Sequence, residues 1–83
     1  MEFKETKVID KIEVLEHGEV LVREATRVYK GEELISTSYH RWNILPGQDF
    51  SSQPANVQAI CAVAHTSQVV ADYAAMIEQS KGA

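Results

Sequence analysis

From Val8 to Leu45 the chain is rich in β-branched and aromatic residues and carries two glycine-containing breaks, at His17-Gly18 and Lys30-Gly31. Past Pro54 the apolar residues switch to the three-and-four spacing of helices. This change of period constrains the fold more than any other feature. It predicts a three-stranded antiparallel meander, with strands near residues 7–15, 20–29 and 34–44, followed by two short helices. The expected class is therefore α+β in a single domain spanning residues 1–83. Its sheet would occupy 7–45, a loop 46–53 and the helical part 54–80, with the helices packed on the sheet.

The first turn decides the register. A three-residue loop with Gly18 at positive φ sets Val14 opposite Val20 and Ile12 opposite Val22, gathering an apolar cluster on one face. The same register puts Lys11 opposite Arg23 and Asp10 opposite Glu24, two like-charged pairs. A two-residue turn would instead pair Lys11 with Glu24. The apolar pairing is the expectation taken forward. In the third strand, Leu34, Ser36, Ser38, His40 and Trp42 alternate with Ile35, Thr37, Tyr39 and Arg41. That pattern is weakly amphipathic and suggests partial cover on both faces. Leu45-Pro46-Gly47 ends the sheet, because proline cannot donate to a ladder and glycine permits a tight turn.

Val57, Ile60, Cys61 and Ala64 mark the first helix, with Ser51 or Ser52 expected to cap it and Pro54 in its first turn. Val69, Val70, Tyr73, Met76 and Ile77 mark the second, with Thr66 or Ser67 as its cap and Gly82 at its fraying end. Between Pro54 and Ser80 the only formally charged side chains are Asp72 and Glu78. Ala59, Ala62, Val63, Ala71 and Ala75 extend the apolar surface beyond one stripe. A surface of that kind is expected to meet another chain, making the protein oligomeric or partner-bound through its C-terminal half.

Composition excludes several classes. With 83 residues and one cysteine, Cys61, no internal disulfide can form, and the lone thiol favours a reducing compartment or an indifferent one. The opening MEFKETKVIDK lacks the apolar run of a signal peptide, and no stretch approaches the roughly 20 apolar residues of a membrane span. Membrane is therefore not an expected partner, and with a net charge of -4 and the eight Lys and Arg interspersed among acids, neither is nucleic acid. Hydrophobic residues at 45% place the chain with folded rather than disordered proteins.

Motifs that carry chemistry are few. Cys61 and His65 lie four apart on an expected helix, but two ligands do not make a structural zinc site, and an inert core thiol beside a helix-end histidine is the simpler reading. Apolar Ile60, Ala62 and Val63 around Cys61 argue against an activated thiolate. Ser51-Ser52 lies in no nucleophile elbow, and Glu32-Glu33 falls at a hairpin tip where acids are solvated. The glycines are too far apart for a phosphate-cradling loop. No catalytic residue, metal or cofactor is expected. The candidates for a partner interface are Tyr39, Arg41, Trp42, Val63 and Val70, led by the dense string Tyr39-His40-Arg41-Trp42. Period-two alternation sends Tyr39 and Trp42 to opposite faces, with one of them under the helices.

The segment from Ile35 to Tyr73 resembles a recurrent pattern in small proteins of tailed bacteriophages and prophages. The matching residues are Ile35, Ser36, Tyr39, His40, Arg41, Pro46, Gly47, Asp49, Ser51, Val57, Ala59, Ile60, Ala62, Thr66, Val69, Val70 and Tyr73. The upstream KIEVLEHGEVLVREATRVYKG is similar to that pattern's opening hairpin, while Gln48, Gln53 and Ser67 depart from it. Such proteins tend to be encoded among structural and tail genes. The resemblance implies a non-enzymatic virion or tail-associated protein that binds other phage structural proteins or forms a homo-oligomer, after assembly in the host cytoplasm. A tail-fibre assembly chaperone or a modulator of a host protein is the alternative it leaves open.

Overall fold

Each glycine break becomes a hairpin. The computed structural model describes residues 2–81, so the helix end expected at Gly82 lies outside the described residues. Strands β1 (Phe3–Val14), β2 (Val20–Lys30) and β3 (Glu33–Ile44) form one antiparallel sheet in sequence order, followed by helices α1 (Ala55–Ala64) and α2 (Ser67–Lys81). β1 begins at Phe3, earlier than expected, because Lys4, Glu5 and Thr6 still find partners in Tyr29, Val28 and Arg27.

The register is the apolar one: Val14 pairs with Val20, Ile12 with Val22 and Lys11 with Arg23. The Gly18 amide donates to the Leu15 carbonyl and the Leu15 amide to the Glu19 carbonyl, closing a three-residue loop with Gly18 at φ +94°. The expected opposition of Asp10 and Glu24 does not occur. Ile9 pairs with Glu24 instead, and Asp10 is the extra residue of a β-bulge. The bulge removes one like-charge pair that the regular register would have imposed. A second irregularity sits near the far turn, where Val28 pairs with Ser36 and Tyr29 with Leu34, leaving Ile35 unpaired.

The buried cluster is Val20, Val22, Ile44, Val57 and Cys61, with Ile9, Ile12, Trp42, Phe50 and Ala64 packed against it. All of it lies where α1 rests on β2, at the end of the sheet nearest the Gly18 turn. Val57 and Cys61, one helical turn apart, supply the buried stripe of α1. The N-cap position of α1 is Pro54, which makes no side-chain cap; the expected caps Ser51 and Ser52 lie in the preceding loop, where the Ser51 amide donates to Asp49 Oδ1 at 2.9 Å. Thr66 caps α2 as expected, its hydroxyl accepting from the Val69 amide at 3.2 Å. Val69, Val70, Tyr73, Met76 and Ile77 form the half-buried stripe of α2, of which Val69 rests against the Gly18 turn and Val70 against Gly47.

The rest of the sheet has no helix over it. The twelve residues of β3 extend about 40 Å, and every one from Glu33 to Arg41 is exposed, so partial cover on both faces is not found. The helices are confined to the opposite end. The molecule measures 58 × 26 × 18 Å with a radius of gyration of 17.0 Å, against about 12 Å for a compact chain of this length.

Gly18 is where sheet and helices meet. A β-carbon there would stand 2.5 Å from Val69 Cγ1 and 3.2 Å from Pro46 Cγ. Gly31 also has positive φ, +63°, but a β-carbon there would meet nothing within 4 Å. Gly18→Ala is therefore expected to cost about 2–4 kcal/mol, from backbone strain plus displaced α2, and Gly31→Ala about 1–2 kcal/mol from strain alone. Chemical denaturation of the two variants checks the order; equal losses would show that α2 is not seated on this turn.

Candidate protein-binding face

Strand alternation sorts the charges of the sheet. The face turned away from the helices carries Lys4, Lys11, Arg23, Arg27 and Arg41 with Asp10 and Glu13, a net +3 on a chain of net -4. Apolar and aromatic side chains lie between them: Val8 and Ala25 are paired, as are Ala25 and Tyr39. Ala25 is fully buried without any helix above it, because larger neighbours fence in its small side chain.

Arg23 organises this face. Its Nε donates to Asp10 Oδ1 at 2.9 Å and its Nη2 to Asp10 Oδ2 at 2.8 Å, a bidentate pair. The same guanidinium lies 4.5 Å from the centre of the Tyr39 ring, and that of Arg41 approaches the ring at 5.6 Å. Because Asp10 is bulged, its carboxylate reaches Arg23 on this face rather than confronting Glu24 across the ladder. Lys11 and Glu13 pair at 3.2 Å beside it. A shallow concavity of about 280 Å³ lies among Lys11, Glu13, Leu21, Arg23 and Arg41. Such a face can stack and hydrogen-bond a protein surface; Asp10 and Glu13 divide its positive charge rather than leaving a continuous basic track.

The structure brings two of the expected interface residues together. Tyr39 and Arg41 share the outer face. Trp42 is on the helix-bearing side, half-buried against the core, where its Nε1 donates to Gln53 Oε1 at 2.8 Å and its ring lies 5.2 Å from that of His40. Val63 projects from α1 at 79% exposure, and Val70 is half-buried beside Gly47. These last three do not join the Tyr39-Arg41 surface. Ala59, Ala62, Ala71 and Ala75 are exposed on the helices, together with Val63 and Ile60.

Cys61 and His65 do not converge. Cys61 is in the core, where burial pushes its thiol pKa up, and His65 Nε2 donates to the Gly18 carbonyl at 2.7 Å, tying the helix break to the first turn. Among the described residues no group of three or more His, Cys, Asp or Glu could hold a metal ion. No single described helix is long and apolar enough to cross a membrane; α1 and α2 meet that test only as a pair bent by 77°. The residues that sequence reasoning missed are Asp10, Arg23, Gln53 and Gln58. Gln58 Nε2 donates to the carbonyls of Ser51 and Gln53, holding the loop that receives Trp42. Comparison with protein-family models, curated proteins and solved structures finds no match.

The Arg23 guanidinium, hydrogen-bonded to both oxygens of Asp10, holds that carboxyl below its ordinary value of 3.8. A lowered folded-state pKa contributes stability that is fully present above the unfolded value and is lost as pH falls through the folded one. Asp10→Asn is thus expected to melt below the wild type at pH 7, with the gap closing as pH drops below about 4 and the wild-type carboxyl is protonated. Melting curves from pH 7 to pH 2 check this; a gap independent of pH would assign the effect to the bulge backbone instead.

Proposed function

We propose that the protein is a non-enzymatic structural subunit of a tailed-phage virion, associated with the tail, that works by burying its surface against other phage protein chains. One observation carries the protein-binding part of this reading: the folded chain exposes more surface than a compact monomer of its mass. Its accessible area is 5926 Å², against about 5,000 Å² for a folded monomer of this mass. The excess of about 900 Å² is close to the roughly 800 Å² that one partner contributes to a standard interface.

Two surfaces supply it. The blade of the sheet presents the Tyr39, Arg23 and Arg41 stack on its outer face, and the helices present Ile60 and Val63. Aromatic and arginine side chains of this kind anchor protein interfaces, while exposed aliphatic patches favour burial against another chain. The tail and virion assignment comes from the sequence resemblance, and assembly in the host cytoplasm follows from it.

Peptide mass spectrometry of purified particles from the source phage or induced prophage tests the assignment. The expected result is a fixed, stoichiometric number of copies per particle. Expression during infection with no copies in finished particles would replace the virion reading with that of an assembly chaperone or a host-protein modulator.

A further inference from the structure

The two free edges of the sheet are guarded very differently. β1 carries Lys4, Lys7 and Lys11 and is broken near its middle by the Asp10 bulge, both of which discourage strand pairing. β3 has neither protection along most of its length. Between Glu33 and Arg41 it reads Leu-Ile-Ser-Thr-Ser-Tyr-His, without formal charge or proline. Its one irregularity, at Ile35, lies beside the far turn and leaves Ser36 to Ile44 in continuous register with β2. Leu34, Ile35 and Tyr39 are 46–49% exposed along it.

From these features, and resting on the reading that the chain works through protein contacts, we infer that β3 pairs antiparallel with β3 of a second copy, joining two three-stranded sheets into one of six. The strand is compatible with itself. Paired about Tyr39, Thr37 meets Arg41 and Ser38 meets His40 of the other copy, so no formally like-charged residues stand opposite one another. The contact is isologous, with the same patch on both chains, and closes at two. It satisfies the outward amides and carbonyls of β3 and places the half-exposed Tyr39 and Ile35 beside cross-strand neighbours. The chain as a whole exposes about 900 Å² more than a compact monomer of its mass, so surface is available for such a pairing. The helices lie at the opposite end from the far turn and do not cover this edge over Glu33 to Arg41.

The test uses the full chain in sedimentation equilibrium from low micromolar to millimolar concentration, with amide hydrogen exchange at both ends of that range. The expected species at high concentration has twice the chain mass, with alternate amides of β3 gaining protection while the outward amides of β1 do not. The double variant S36K/S38K supplies the missing guard on exposed positions of β3, and is expected to weaken the dimer at least roughly tenfold while leaving the circular dichroism spectrum unchanged. Thr6→Lys on β1 is the matched control and is expected to leave the dimer intact. A chain that stays monomeric throughout, a dimer indifferent to S36K/S38K, or protection gained on β1 or the helices instead of β3 overturns the inference. Should S36K/S38K fail to fold, the wild-type exchange pattern alone still decides. Failure here with stoichiometric copies in particles leaves the virion reading standing; a β3 dimer absent from particles removes that reading and keeps this one.

Discussion

Everything in this chain hangs on the seating of Val57 and Cys61 over Val20, Val22 and Ile44. These five residues are the buried cluster that joins helix to sheet, and they occupy one end of a ladder about 40 Å long. Burial of a valine side chain is worth about 1.5–3 kcal/mol, so a cluster this small leaves little reserve, and a cavity in it would take a large part of the stability of such a domain. The satellites Ile9, Ile12, Trp42, Phe50 and Ala64 extend the cluster without carrying it to the far turn. Beyond Ala25 the strands are held by ladder hydrogen bonds and cross-strand side-chain pairs. Those terms are individually modest, which makes the Arg23, Asp10 and Tyr39 arrangement more than a surface detail. It joins all three strands through side chains on the face opposite the core.

That lock depends on a one-residue insertion. A regular β1 would place Asp10 against Glu24 and leave Arg23 facing Lys11 alone. The bulge frees Asp10 to reach Arg23 and lets Ile9 take the partner position opposite Glu24 on the helix-bearing face. A single local departure from the ladder thus relieves repulsion, builds an ion pair and keeps Ile9 and Ile12 both available to the core. It also leaves β1 a poor template for a further strand, since a bulge twists an edge away from a flat partner.

Much of this was legible in the sequence, for definite reasons. The Val14-Val20 and Ile12-Val22 pairs overrode the charges because apolar pairs at a tight turn align only one way, and Gly18 marked the loop length that allows it. The second helix could be read through Thr66 and the Val69 to Ile77 stripe, since an N-cap and a helical period are local properties. The bulge was not foreseen, although the register itself announced it by predicting two adjacent like-charged pairs; that conflict was the available signal. The first helix cap was misassigned to Ser51 and Ser52 because composition cannot tell a capping hydroxyl from one spent in a loop, and here Asp49 and Gln58 organise that loop. The opposite destinations of Tyr39 and Trp42 followed from alternation, but which went under the helices required knowing that α1 sits over Val20 and Val22. The bare length of β3 was missed for the same reason: local pattern does not say how far a short helix reaches along a strand.

An extended blade on a small core separates two physical demands. The helical end supplies cooperativity, with His65 and Val69 clasping the Gly18 turn so that sheet and helices are braced against each other. The far end supplies surface that is already ordered as strand, so a partner meeting it need not bear the ordering cost that a disordered segment would impose. Backbone order is maintained there by β2, which is hydrogen-bonded on both sides and whose side chains from Thr26 to Tyr29 remain half-buried even without a helix above them. Only the outer strands are left with unspent hydrogen bonds. Of these, β1 is interrupted and lysine-rich, whereas β3 is without formal charge from Leu34 to His40 and in continuous register from Ser36 to Ile44. The unguarded edge and the outer face of the sheet thereby share Tyr39 and Arg41.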